Sequence, residues 1–181
     1  MHHVGAVAAF DAGLILKMPE SKLSDRGTTM GRLTEILSSA QDRASLGSLP
    51  YAGLLLPHEA AELLELAPGA RLVDVRSRAE LDLVGMIPDA VHAEFRHFPG
   101  WVPNPHFLTQ LKQLTDPEAL TLFICRNGAR SHHAAIVASE AGWHDSYNVA
   151  EGFEGDYNKA TNHRSELNGW RARGLPWVQV P

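Results

Sequence analysis

The stretch Thr121-Leu122-Phe123-Ile124-Cys125-Arg126-Asn127-Gly128-Ala129-Arg130-Ser131 places the only cysteine of the chain at the end of an apolar run. Leu120 to Ile124 form a short β-favouring segment of the kind buried on both faces of a parallel sheet, and from Ser131 the apolar spacing becomes helical. The residues between are therefore a strand-to-helix turn. Backbone N–H groups of such a turn converge on the first helical turn, and with the helix dipole and the guanidinium groups of Arg126 and Arg130 they favour negative charge at its centre. An electropositive, partly exposed position at a helix N-terminus favours thiolate, the reactive form of cysteine. Cys125 is accordingly read as a nucleophile, and Arg126, Asn127, Gly128, Ala129, Arg130 and Ser131 as its anion cradle. Arg130 is placed to aim its fork inward at a bidentate anion, and Arg126 to lie at the mouth and steer a donor.

Strand and helix patterns alternate on both sides of this turn. Leu33, Ile36, Leu37, Ala40 and Ala44 share one face of a helix expected over Leu33 to Leu46, and Gly47 to Tyr51 reads as a linker. Pro57 opens a helix with Ala60, Leu63, Leu64 and Ala67 as its apolar stripe, ended by Pro68-Gly69. Arg71 to Val75 reads as a strand, and Ser77 with Glu80 forms a capping box for a short helix. Val91 to Phe95 is a weaker strand. Phe95 to Pro105 is an aromatic, proline-rich loop bracketed by His97 and His106, suited to packing, an oligomer contact or a pocket wall. A helix near His106 to Leu114, another over Ser131 to Ala141, a strand at Tyr147 to Val149 and a last helix over Ser165 to Ala172 complete the pattern. Such alternation implies right-handed crossovers and an α/β fold, with a parallel sheet covered on both faces. Ligands of such sheets bind beyond the carboxyl ends of the strands, where Cys125 lies.

With 181 residues and 44% hydrophobic content, the chain can bury one core. A formal net charge of −5 excludes an overall basic field that would draw it to nucleic acid or an anionic membrane. A single cysteine excludes an internal disulfide and leaves no second thiol to resolve a modified Cys125, so any acceptor comes from outside. There is no paired-cysteine or HExxH pattern to suggest a metal site. Val4 to Phe10 is apolar, but Met1-His2-His3 supplies no firm positive charge and Asp11 interrupts the run, so export is not expected and a cytoplasmic location is. Residues 1–29 are expected to be a poorly ordered extension, with Met30 as an alternative native start, followed by a helix and linker over 30–50 and one domain over 51–181.

The spacing within the turn narrows its chemistry. Protein tyrosine phosphatases hold a phosphate in a loop with five residues between Cys and Arg, whereas four separate Cys125 from Arg130. A smaller ring of amides fits one extra sulfur on the cysteine better than a phosphoryl group. This length, with Gly128 inside it, resembles the active-site loop of rhodaneses. Leu72-Val73-Asp74-Val75-Arg76 followed by Glu80 is similar to the first signature of that family. Gly85-Met86-Ile87-Pro88-Asp89-Ala90-Val91 resembles its Gly-His-Ile-Pro-Gly-Ala segment, with Met86 and Asp89 as departures. Ala134-Ala135, Gly142-Trp143, Tyr147-Asn148-Val149 and Glu151-Gly152-Phe153 are similar to the second. The resemblance, running from about Leu54 to Trp177, implies a rhodanese-like three-layer fold with about five parallel strands. It further implies a sulfurtransferase that moves sulfur from thiosulfate or a persulfide donor to cyanide, a small thiol or a protein acceptor, through a persulfide on Cys125 and without a metal or organic cofactor. The longer segment from Glu154 to Leu167 is then expected to be a subfamily-specific lid.

Several residues carry competing readings. Asp74 either caps the following helix, the favoured reading, or supports the cysteine loop. Arg76 and Glu80, four apart, are placed to pair with each other. His132-His133 invite a Cys–His dyad, but the first turn of the helix projects them sideways from the cradle. The acidic run from Glu151 to Asp156 reads as a solvated loop. A phosphatase or arsenate reductase would share the nucleophile, though the shorter loop and the missing second cysteine oppose it. A binding module without chemistry would share the fold, opposed by the complete Cys-Arg-x-Gly-x-Arg pattern.

Overall fold

The computed structural model describes residues 20–179. The chain divides at Arg32 into two units. Residues 1–19 of the expected extension lie outside the described part, and residues 20–32 belong to helix α1 (Glu20–Leu46), which begins well before the expected Leu33. The second unit, from Leu33, carries the remainder of α1, β1 (Gly53–Leu55), α2 (Pro57–Leu66), β2 (Arg71–Asp74), α3 (Arg78–Val84) and β3 (Val91–His92). It continues with a hairpin of β4 (Arg96–His97) and β5 (Val102–Pro103), then α4 (Phe107–Leu114), β6 (Thr121–Ile124), α5 (Ala129–Glu140) and β7 (Ser146–Val149). Among the described residues, no helix is long and apolar enough to cross a membrane.

Five parallel strands pair in the order β1-β7-β6-β2-β3. β6 is central, and all four of its residues are buried, which is why its sequence is a continuous apolar run rather than an alternating one. The two-residue period of a strand then sorts the core into two faces. Leu122 and Ile124 join Leu72, Ile36, Ala40, Ala60 and Leu63, beneath α1 and α2. Phe123 and Cys125 join Val73, Val75, Phe107, Leu111, Ala134 and Ala138, beneath α4 and α5. Truncating a side chain as fully buried as Phe123 costs about 3–5 kcal/mol in such a core.

Three expectations are corrected. β1 forms where no strand was read, because Gly53 admits the Tyr147 ring: a Cβ there would stand 2.6 Å from that ring, and the pairing with β7 supplies the strand. Val91 to Phe95 is divided, with β3 ending at His92 and the chain turning into the hairpin. No helix forms over 165–172. Ser165 has φ +62 and Gly169 φ +99, and the backbone bonds outward, with Trp170 N–H donating to Gly152 O at 2.8 Å and Arg171 N–H to Phe153 O at 3.1 Å. Those bonds take the donors that an i→i−4 ladder would need.

Candidate active site

Cys125 follows β6 directly, at the carboxyl end of the sheet's middle strand. The loop turns into α5 at Gly128, the N-cap residue, whose φ of +90° suits glycine. A Cβ at Gly128 would stand 1.8 Å from Ala150 O, and one at Gly152 (φ +65) 2.6 Å from Cys125 O and Asn127 N. These two glycines let the chain after β7 lie flat against the cysteine loop. That chain and β7 fix the loop through its carbonyls: Phe153 N–H donates to Cys125 O at 2.7 Å, Glu154 N–H to Arg126 O at 2.8 Å, and, from β7, Asn148 Nδ2 to Gly128 O at 3.2 Å. The N–H groups of Arg126 through Ser131 have no hydrogen-bond partner among the described residues. A loop with its carbonyls tied back and six donors free is a nest for negative charge.

Cys125 is 0% exposed, so the expected partial exposure is corrected: strand alternation turns its side chain into the α4 and α5 face of the core. The Ser131 hydroxyl donates to Cys125 Sγ at 3.2 Å, adding a side-chain donor to the backbone role read from sequence. The histidines behave as helical geometry requires. His132 Nδ1 lies 2.9 Å from Tyr51 Oη and His133 Nδ1 2.9 Å from Ala129 O. Burial, aided by the neighbouring His133, lowers the His132 pKa.

Arg130 is the main correction. Its fork is engaged by Glu80, with Nη1 to Oε2 at 2.8 Å and Nη2 to Oε1 at 2.5 Å, and the guanidinium lies 4.8 Å from the Trp101 ring centre. It is therefore a neutralised strut between α5 and α3 rather than a free anion clamp. Burial opposes the charge on both partners. For Arg130 the hydrogen bonds and charge of Glu80 outweigh burial and raise its pKa, and for Glu80 those of Arg130, with the Ser77 N–H, lower it. Glu80 also caps α3, accepting from Ser77 N–H and Oγ–H at 2.9 Å each, so the capping box read from sequence doubles as a counter-ion.

Glu80 being so engaged, the expected Arg76–Glu80 pair does not form. Arg76 instead donates to Asp74, with Nη2 to Oδ2 at 2.6 Å and Nε to Oδ1 at 3.0 Å, and to Gly85 O at 2.9 Å. Both side chains are buried, and the guanidinium stacks 4.0 Å from the centre of the Phe153 ring. Because the Phe153 N–H holds Cys125 O, this ion pair steadies the floor of the cysteine loop.

The hairpin β4–β5 contributes Arg96, to which sequence reasoning gave no role, and Trp101 at its tip. Arg96, Trp101, Arg126, Asn127, Ala129 and Arg130 line one cleft of about 350 Å³. The aromatic loop is thus a wall of the cleft, and Arg126 also lines it. Segment 154–167 contributes no lining residue, which corrects the lid expectation. It closes on itself instead, with Asn158 Nδ2 donating to Glu166 at 2.7 Å and Arg164 Nη1 to Gly155 O at 2.7 Å. A larger cavity of about 540 Å³, lined in part by Leu64, Ile87 and Trp170, shares no residue with the cleft.

A parallel five-stranded sheet with a cysteine loop at the carboxyl end of its central strand defines a class of α/β domain. Residues 56–159 match the family described as Rhodanese-like domain, and the chain belongs to that family. It is 32% identical over 121 residues to an uncharacterized protein, the RP600 homolog, of Rickettsia rickettsii, covering 66% of this chain and 91% of that protein. The crystal structure of Rv0390 from M. tuberculosis is 41% identical, with a TM-score of 0.66 over 72% of this chain and 99% of that one. The polysulfide-sulfur transferase homodimer of Wolinella succinogenes shares the fold at 19% identity, with a TM-score of 0.50 over 88% of this chain and 90% of that one.

Proposed function

We propose that this protein is a sulfurtransferase that carries sulfur as a persulfide on Cys125. The observation that supports this most strongly is the cysteine loop itself: six N–H donors without partners among the described residues, and the Ser131 hydroxyl 3.2 Å from Cys125 Sγ at the end of β6. The Cys125 thiolate attacks the outer sulfur of thiosulfate; the new Sγ–S bond forms as the donor S–S bond breaks, and the electron pair leaves with sulfite. The persulfide's terminal sulfur carries the negative charge, which the loop N–H groups stabilise as an oxyanion hole stabilises an alkoxide. Cyanide, a small thiol or a protein thiol then takes that sulfur and regenerates the thiolate, so the cycle balances without a metal or organic cofactor. The four-residue spacing between Cys125 and Arg130 and the sulfur-handling relative from Wolinella succinogenes favour this reading over phosphoryl transfer. Intact-mass spectrometry after incubation with thiosulfate tests it. The expected result is a gain of about one sulfur atom, discharged by cyanide and absent in Cys125→Ser; no adduct on the intact protein overturns it.

A further inference from the structure

With Arg130 neutralised, the cleft still needs positive charge if it is to draw in an anion. Three arginines line it, and of these only Arg130 has a carboxylate partner among the described residues. The Arg126 side chain makes no hydrogen bond among the described residues, and its Nε is buried without a partner. Arg96, on β4, donates only to Trp101 O, at 3.1 Å. That bond holds the hairpin side chain against the tip residue that also stacks on Arg130. The cleft therefore presents two uncompensated guanidinium groups, one from the cysteine loop and one from the hairpin, on a chain whose net charge is −5.

We infer that Arg96 is a specificity-determining residue that, with Arg126, selects doubly charged sulfur donors over singly charged ones. This rests on the sulfurtransferase reading above. Two cationic forks in one partly dehydrated cleft match a dianion and leave one fork idle against a monoanion. Selection acts on capture of the donor, because Arg96 stands on the cleft wall and not in the loop that holds the sulfur after transfer. The full chain is assayed with cyanide as acceptor and either thiosulfate, a dianion, or benzenethiosulfonate, a monoanion, as donor. In a double displacement, kcat/KM for the donor reports the donor half-reaction alone. Arg96→Gln should lower kcat/KM for thiosulfate about tenfold, as the loss of one charged hydrogen bond implies. It should lower the value for benzenethiosulfonate by less than about threefold, and leave kcat with saturating thiosulfate within about twofold. Arg96→Lys should recover part of the loss, and Arg78→Gln, on an exposed helix face, should change neither donor. Equal losses with both donors, or none with thiosulfate, overturn the inference while leaving the function intact. If the wild-type protein forms no persulfide with either donor, it is the functional reading that fails.

Discussion

Replacing Glu80 with Gln removes one charge and little else, because the amide oxygen can still accept from the Ser77 N–H and keep α3 capped. What it exposes is the worth of the Glu80–Arg130 pair. The two side chains are 14% and 15% exposed, and Arg130 would be left cationic between α5 and the Trp101 ring without a counter-ion. Breaking a fully buried pair costs about 3–5 kcal/mol; discounted for the residual solvent contact, about 2–3 kcal/mol is expected here. For a chain of this size that corresponds to a fall in Tm of about 4–12 °C at neutral pH. Acid supplies a second check. Burial would raise the carboxyl of Glu80, yet the Arg130 and Ser77 hydrogen bonds hold it below the usual glutamate range. A group lowered in the folded state gives its full stabilisation above its unfolded pKa, about 4.3, and loses it as pH falls through the folded value. Thermal unfolding followed by circular dichroism should therefore show the gap between wild type and Glu80→Gln narrowing below about pH 4. A shift of less than about 2 °C at neutral pH, or a gap that widens in acid, would refute the assignment of Arg130 as a buried strut.

Arg130→Leu should lose a comparable amount of stability, measured in the same way, since it strands Glu80 instead; sequence alone predicts damage to donor use rather than to folding, and unchanged Tm with lost activity would restore that view. Ser131→Ala should slow persulfide formation about tenfold in a single-turnover mass assay, through loss of the hydroxyl donor to Cys125 Sγ, with stability within about 1 kcal/mol; an unchanged rate would show that the backbone cradle suffices. Gly152→Ala should destabilise by at least about 2 kcal/mol and abolish persulfide formation, combining a positive-φ penalty with displacement of the cysteine loop backbone; a soluble, fully active variant would contradict the close approach. Asp89, at φ +61, occupies the position where the resembling segment of the family has glycine, so Asp89→Gly should be neutral or stabilising by up to about 1 kcal/mol in denaturant unfolding; a clear loss would mean that the Asp89 side chain supports the turn.

Local patterns carried most of the elements. The Ser77–Glu80 cap, the helix opening at Pro57 and the unbroken apolar run of β6 each rest on interactions within a few residues, and each is found where its pattern places it. β1 escaped notice because three residues carry no periodicity, and its strand character comes from pairing with β7, far along the chain. The segment 165–172 has helical spacing on paper, but its backbone donors are claimed by Gly152 and Phe153, and no local rule foresees that competition.

The sequence by itself determined the strand, the tight cysteine turn and the helix behind it, because the period of apolar residues and the left-handed glycine at position 128 are local requirements. Only the tertiary structure decided which charges meet. Arg130 and Glu80 stand fifty residues apart in the chain, and Arg96 reaches the cleft from a separate hairpin, so neither the neutralisation of one nor the availability of the other is written in any spacing. Electrostatic roles depend on distance and burial in the folded molecule, which is why the position of the cysteine turn could be read from the chain and the pairing of its charges could not.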